Sequence, residues 1–411
     1  MGQPYIPRVA ERPVSTERFH RSRMDELRVW WREIDRVMLG IVLVLMLIGT
    51  VAVATASVAS ARRLSTADVT LPDLYFYWAH LKWQFAGLAV MLWASTLSLD
   101  NARRLGILLA GAMFGLLVLV PLVGAEVNGA RRWINLGMRF QPSEFLKPGF
   151  AIALAWILTW RLRDPGMPVV GIVTAAMVAV GGLLMAQPNL GDAILFGGVW
   201  FAMITLAGVS LPRLGGLIGA GLAVFTLIYF TYDNARHRID AFLGGGTAYD
   251  QVDLAEKTLL AGGWGGTGMW LGTRKLKLPE AHTDYIFSVI GEEFGLLICM
   301  VVVLLYLALV VRVLVRLTAE DNLFIVLAGT GIAVQIAGQA FINIMVNLQL
   351  FPSKGMTLPL VSYGGSSTIA ICLTVGLLLA ITRRNPYLTR DSEGLRALVA
   401  QTLAKRDGAQ S

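Results

Sequence analysis

The feature that most restricts what this chain can fold into is its set of uncharged apolar runs. Gly40–Ser60 and Leu297–Val311 are the clearest. A helix needs about 20 predominantly apolar residues to cross a bilayer, and runs of this kind are too long and too apolar for the core helices of a soluble domain. Composition agrees. Of 411 residues, 15% are charged and 55% hydrophobic, where a soluble domain carries about 25% charged. The expected fold is therefore an all-α polytopic membrane protein. Ten spans are expected, near 38–60, 77–98, 104–124, 143–161, 168–187, 190–208, 211–230, 284–312, 322–347 and 363–382.

Charge orients these spans. Residues 1–37 hold eight arginines and no lysine. They read as a cytoplasmic arm with no cleavable signal peptide, and Trp30 and Trp31 suit headgroup depth. Arg103, Arg104, Arg161, Arg163, Arg213, Arg312, Arg316 and a tail from Arg383 then fall on the inner side, so an even count puts both termini in the cytoplasm. The expected layout is an arm (1–37), a membrane domain (38–382) and a tail (383–411). The net charge of +8 is loop charge obeying topology and gives no case for nucleic acid. Cys299 and Cys372 lie in apolar runs and read as small core residues. No Cys/His cluster has metal-site spacing.

The remaining basic residues mark the outer side: Arg131, Arg132 and Arg139, then Lys354, then the one long loop, 231–283, between spans seven and eight. That loop carries Arg236, Arg238, Lys257, Arg274, Lys275 and Lys277. A solvated loop and a site for an anionic ligand both fit this charge. Five stretches carry chemistry. Asn128–Gly137 places two adjacent arginines, able to grip a diphosphate, before Gln141-Pro142-Ser143-Glu144. There Glu144 and Lys147 share a helical face, either as a simple ion pair or as the floor of a cavity. Asn189 reads as a helix cap with Asp192 one turn on. Ala261–Gly268 has five glycines and no P-loop lysine, and reads as a flexible loop or a nest of N–H groups for an anion. Asp284 sits where polar loop meets apolar run, as a helix cap or a functional acid. Glu292 and Glu293, further in, read as buried structural groups. Finally, Phe351–Ser367 reads as a rigid re-entrant loop, tolerated at membrane depth only against protein or a cavity. The helix before it repeats Gln335, Gln339, Asn343 and Asn347 on one face.

Together, NGARRWINLG, QPSEFLKP, the QPxxG turn, LPEAHTDYIFSVIGEEFG and FPSKGMTLPLVSYGGSS resemble the shape, elongation, division and sporulation family, ten-helix membrane glycosyltransferases that polymerise peptidoglycan from lipid II. The resemblance covers about 38–386. Lys354-Gly355-Met356-Thr357 before Leu358-Pro359, with the polar arm, is similar to the division branch rather than the elongation branch. By resemblance Asp284 is the catalytic acid. Arg131, Arg132, Glu144, Lys147, Lys354, Ser362, Gly364 and Gly365 lie on the substrate side, with Asp192, His282 and Arg274 as further candidates. Asn189 stands where the family usually has an acid, and Asp192 one turn on is its expected replacement. The implied reaction is an inverting transfer with undecaprenyl diphosphate as leaving group. A divalent cation, Mg or Mn, is an alternative to the basic residues for neutralising it. The resemblance implies a class B penicillin-binding protein and other divisome membrane proteins as partners, at the septum of the inner membrane. A lipid II flippase or other transporter, an elongation polymerase and a non-catalytic scaffold are the rival readings.

Overall fold

The computed structural model describes residues 23–66, 70–127, 130–135, 137, 139–162, 164, 166–233, 236, 239–240, 243–244, 249–352 and 355–384. Lys354, Arg163, Arg238, the first 22 residues of the arm and the tail beyond Arg384 lie outside the described residues. The helices are α1 (Arg23–Glu33), α2 (Arg36–Leu64), α3 (Tyr75–Ser95), α4 (Leu99–Val123), α5 (Pro142–Thr159), α6 (Val169–Ala186), α7 (Leu190–Leu206), α8 (Leu211–Thr231), α9 (Tyr249–Ala261), α10 (Ile286–Leu317), α11 (Leu323–Asn347) and α12 (Ser366–Ile381). Between α4 and α5 a small antiparallel sheet runs β1 (Ala125–Val127), β2 (Ala130–Asn135), β3 (Arg139–Phe140). Among the described residues seven helices are long and apolar enough to cross a membrane: α2, α4, α5 with its extension to Leu162, α6, α8, α10 and α11. The apolar α7 and α12 are shorter. The chain is a multi-pass membrane protein.

Residues 35–383 form one compact unit. Helix α1 belongs to a second, with Arg384, whose N–H donates to Glu33 O at 3.4 Å. In the larger unit α12 is the centre, buried along most of its length. Small residues let it be so: a Cβ on Gly87 of α3 would lie 2.8 Å from Cys372 Sγ, and one on Gly376 only 2.6 Å from Met91 O. Close backbone approach of this kind is how helices pack where lipid offers no hydrophobic drive. Cys299 and Cys372 are free and buried. Helix α8 is the opposite case, with Leu214 its one buried residue.

At one end of α2, Asp35 caps the helix, accepting from Val37 N and Met38 N. Its Oδ2 also takes Arg312 Nε at 2.8 Å and Arg316 Nη1 at 2.9 Å. Burial alone would raise the Asp35 pKa. The Met38 N–H and the two guanidinium groups outweigh it and hold the carboxyl below its ordinary value. At the other end of α2, roughly 38 Å away at 1.5 Å per residue, Ser60 Oγ lies 2.8 Å from His282 Nδ1. The arginine clamp and the Asp284 region thus sit at opposite ends of one helix.

The span expected from Asp284 onward is not one helix. α10 breaks at Gly295 (φ 82°, ψ 172°). Residues 286–294 form a short helix, and the spanning part starts at Leu296. The cause is the glycine loop after α9. It wedges its backbone into the break, where Leu296 N donates to Gly263 O at 2.9 Å. In return Thr267 N and Gly268 N donate to Glu292 O and Glu293 O at 2.8 and 3.0 Å. The loop is neither flexible nor an anion nest: a Cβ on Gly262 would lie 1.9 Å from Gly291 O, and one on Gly266 2.3 Å from Glu293 O.

Gly295→Ala is the corresponding test. Its backbone lies in a region nearly restricted to glycine, and the new Cβ would meet Trp264 O at 2.3 Å. A loss of about 1–3 kcal/mol from the backbone conformation, before the cost of the clash, is expected, measured as a lower thermal midpoint of the detergent-solubilised protein.

Candidate active site

The residue at the N-cap of α10 is Tyr285, and no side chain caps the helix. Asp284 therefore precedes the helix rather than capping it. It is half-buried and fixed through its backbone: its carbonyl accepts from Asn343 Nδ2 at 2.8 Å and Asn347 Nδ2 at 3.1 Å. Asn343 Nδ2 also donates to Met356 O at 2.6 Å. Asn347 Oδ1 accepts from Ser288 Oγ and Ser288 N at 2.7 and 3.1 Å. Asp284, Tyr285, Ile342, Asn343, Val346, Gly355 and Met356 line a small pocket with a cavity volume of about 10 Å³, room for about one water molecule.

The polar face of α11 continues inward. Gln339 Nε2 donates to Thr357 O at 3.1 Å, and its Oε1 accepts from Lys147 Nζ at 3.0 Å. Lys147, 2% exposed at its side chain, also donates to Glu144 Oε1 at 2.7 Å. It lies 3.1 Å from Asp192 Oδ1 as an ion pair, off the line of a hydrogen bond. Asp192 Oδ2 accepts from Asn189 Nδ2 at 2.7 Å and Ser143 Oγ at 2.8 Å. Asn189 Oδ1 in turn caps α7, taking Asp192 N at 3.4 Å. Asn189 is thus both the cap expected of it and the partner that orients Asp192. One ammonium serves two carboxylates, all three deeply placed. A single polar seam joins this triad to the carbonyl of Asp284 by way of Gln339, the 356–357 backbone and Asn343.

The other expected residues divide. Arg131 and Arg132 are neighbours on β2, and adjacent strand residues face opposite ways. Arg131 is exposed, 3.3 Å from Glu126 Oε2. Arg132 is buried, donating through Nε to Gln187 O at 3.1 Å and through Nη2 to Pro188 O. It pins the 187–188 turn, so the two arginines do not form one grip. Arg139 and Arg274 are exposed. His282 is 5% exposed, its ring 4.2 Å from that of Phe76 and 5.4 Å from that of Tyr363. Burial lowers its pKa to about 4, so it is a neutral packing imidazole beneath Asp284. Ser362 is buried, donating to Thr283 O at 2.6 Å and accepting from Leu358 N at 2.8 Å. Gly365 takes φ 52° at the start of α12, and Gly364 precedes it at the turn. Lys354 lies outside the described residues; its neighbour Gly355 lines the pocket. Among the described residues no three His, Cys, Asp or Glu side chains converge as a metal cage.

Glu292 and Glu293 are the buried structural groups expected of them, but the loop groups they hold, Lys275 among them, were not identified from the sequence. Glu292 Oε1 and Oε2 accept from Arg274 N and Lys275 N at 2.6 and 2.9 Å. Glu293 accepts from Gly272 N at 3.2 Å, from Trp270 N and from Lys275 Nζ. Lys275, read as loop charge, is 3% exposed. The signal for it was faint: one lysine among three basic residues, with no periodicity to separate it.

A family model for cell cycle proteins of the FtsW/RodA/SpoVE type matches residues 35–387. The probable peptidoglycan glycosyltransferase FtsW of Caulobacter vibrioides is 33% identical over 90% of this chain and 95% of its own length. That of Polynucleobacter necessarius is 38% identical over 90% of each. Among solved structures, a chain from a study of polymerization and crosslinking by a peptidoglycan synthase complex is similar at a TM-score of 0.69 and 28% identity, covering 86% of this chain and 98% of that one. The Thermus thermophilus rod shape determining protein RodA follows at 0.63 and 28%, covering 86% and 97%.

Two measurements test the site's electrostatics. Lys147→Met strands two buried carboxylates, so a loss of about 3–5 kcal/mol is expected. Adding Glu144→Gln and Asp192→Asn should recover much of it in thermal melts, because the stranded charges go too. For His282, a folded pKa below the ordinary 6.5 means the unfolded chain binds the extra proton first. Its stabilisation is present above pH 6.5 and is lost as pH falls toward about 4. His282→Asn should flatten the stability profile in that window.

Proposed function

The chain belongs to the FtsW/RodA/SpoVE family of cell cycle proteins, and on that footing we propose that Asp284 is the base in the glycosyl transfer it catalyses. The protein is a peptidoglycan glycosyltransferase, the activity named for relatives that match it over most of its length. In our reading, one lipid II presents its sugar 4-hydroxyl to Asp284. As the carboxylate takes the proton, the oxygen attacks the anomeric carbon of the growing chain. The bond to undecaprenyl diphosphate breaks and the configuration inverts. A positioned base contributes about 10²–10⁴-fold. No covalent intermediate is needed, which suits a pocket with one carboxylate.

The leaving diphosphate needs positive charge in place. Lys147 is committed to two carboxylates and Arg132 to two carbonyls. We therefore assign the diphosphate to the exposed Arg131 and Arg139 together with Lys354, or to a cation carried in by the diphosphate itself. Glu144, Lys147 and Asp192 keep the floor of the site polar and hold α5 against α7 and α11. Ser362, Gly364 and Gly365 shape the loop beside it, and His282 packs below.

We read α2–α8 and α10–α12 as ten crossings with residues 1–37 and 383–411 in the cytoplasm, because the basic residues gather at that end. The 231–283 loop and Asp284 then face the periplasm. The FtsW naming of the relatives favours the septum as the place of work and division membrane proteins as company. The synthase complex among the structural neighbours favours a class B penicillin-binding protein as the partner.

The observation that carries an enzyme over a flippase is where the polar seam stops. From Asn347 to Gln335 it runs roughly 18 Å. The next residues on that face, Gly331 and Leu327, are apolar, whereas a translocation path would continue to the far side. In proteoliposomes holding the protein and its transpeptidase, with lipid II supplied outside, the wild type should form polymer. Asp284→Ala should be in the membrane at normal level and form none. Lipid II crossing without polymer in the wild type, or full polymerisation by the variant, would overturn the assignment.

A further inference from the structure

The loop between α9 and α10 exposes more apolar surface than the clamp on Glu292 and Glu293 requires. Leu260, Trp264, Met269, Trp270, Leu271 and Leu276 are 58, 68, 40, 52, 69 and 43% exposed. Apolar surface gathered in one short segment marks an interaction site. This segment is rigid, held by five bonds to two buried carboxylates and by the glycine contacts at Gly291 and Glu293. Its depth is fixed by the backbone. Leu296 N and Leu297 N, the first residues of the spanning half of α10, donate to Gly263 O and Trp264 O at 2.9 and 3.4 Å. On that half Leu297 and Val301 are exposed, as lipid-facing residues of a membrane protein are. Trp264 therefore sits level with the start of the spanning half, beside its exposed residues. Arg274 and Lys277, both exposed, follow immediately.

We propose that residues 260–277 are an interfacial anchor. Trp264, Trp270 and Leu271 lie at the boundary of headgroups and acyl chains, the depth at which tryptophan is enriched. Arg274 and Lys277 engage anionic headgroups. The occupant is lipid rather than protein because the patch is continuous with lipid-facing α10 and bordered by cations. One consequence rests on the glycosyltransferase reading: the loop is clamped to the helix that follows Asp284, so the anchor sets the height of Asp284 over a bilayer that carries its substrate.

Cys299 and Cys372 are buried, so a single introduced cysteine labels selectively. Full-length protein with Trp264→Cys, Trp270→Cys, Leu304→Cys or Lys257→Cys is labelled with a fluorophore. It is then placed in bilayers of phosphatidylethanolamine and phosphatidylglycerol, one or the other brominated on its acyl chains. Labels at 264 and 270 should be quenched as strongly as at Leu304, a 60% exposed residue of the spanning half of α10. Quenching at Lys257, exposed on α9, should be much weaker. Brominated phosphatidylglycerol should quench the label at 270 more than brominated phosphatidylethanolamine. Arg274→Gln with Lys277→Gln should cut that preference by about fivefold per charge removed. Quenching at 264 and 270 no greater than at 257, or no preference for the anionic lipid, would overturn the anchor. So would lipid contact that the transpeptidase displaces on binding, which would give the patch to protein. None of these readouts depends on polymerisation, so an inactive enzyme and an absent anchor are told apart.

Discussion

A buried peptide group must find a hydrogen-bond partner, and two long non-helical segments of this chain are tied to side chains of α10 and α11. Side chains supply the partners. For the segment before α12, Gln339 Nε2 donates to Thr357 O, Asn343 Nδ2 to Met356 O and Tyr306 OH to Pro359 O, while Ser362 Oγ accepts from Leu358 N. For the segment before α10, Glu292 and Glu293 accept from the N–H groups of Trp270, Gly272, Arg274 and Lys275, and Asn343 and Asn347 donate to Asp284 O. Each bond is worth more kept than made, because an orphaned buried group costs about 1–3 kcal/mol. The backbone around Asp284 is held by this requirement and not by regular secondary structure.

That has a chemical consequence. A general base works when its position is set before the substrate arrives. Here the carbonyl of Asp284 is tied twice to α11, while the carboxylate faces a pocket with the apolar walls Ile342, Val346 and Met356. The strong buried charges lie elsewhere, each already partnered: Lys147 with Glu144 and Asp192, Lys275 with Glu293, Asp35 with Arg312 and Arg316. Burying a charge unpaired is far costlier than burying it paired. So the deep charges fix the frame.

Membrane class, the polar face of α11 and the place of Asp284 just before α10 were legible in the sequence, because they rest on run length, helical period and a carboxylate at an apolar boundary. The glycine loop was visible as composition, but its role was not. Its partner carbonyls, of Glu292 and Glu293, are freed only by the break at Gly295, and one glycine inside an apolar run gives no sign of breaking it. Arg131 and Arg132 look alike as a pair until strand alternation sends one into the protein and leaves the other outside. Lys275 pairs with Glu293 across a loop, where no fixed spacing connects them. Asn189 and Asp192, by contrast, share a helical turn, and the cap expected of Asn189 is present.

The central claim is that Asp284 acts in the chemical step, on a segment tied to α11 through its backbone carbonyl. Lipid II affinity and single-turnover rate of Asp284→Asn, measured side by side with the wild type in the same proteoliposomes, test it most directly. The account predicts unchanged affinity with a rate lower by about two to four orders of magnitude. A retained rate, or a loss of affinity that accounts for the whole defect, would contradict it.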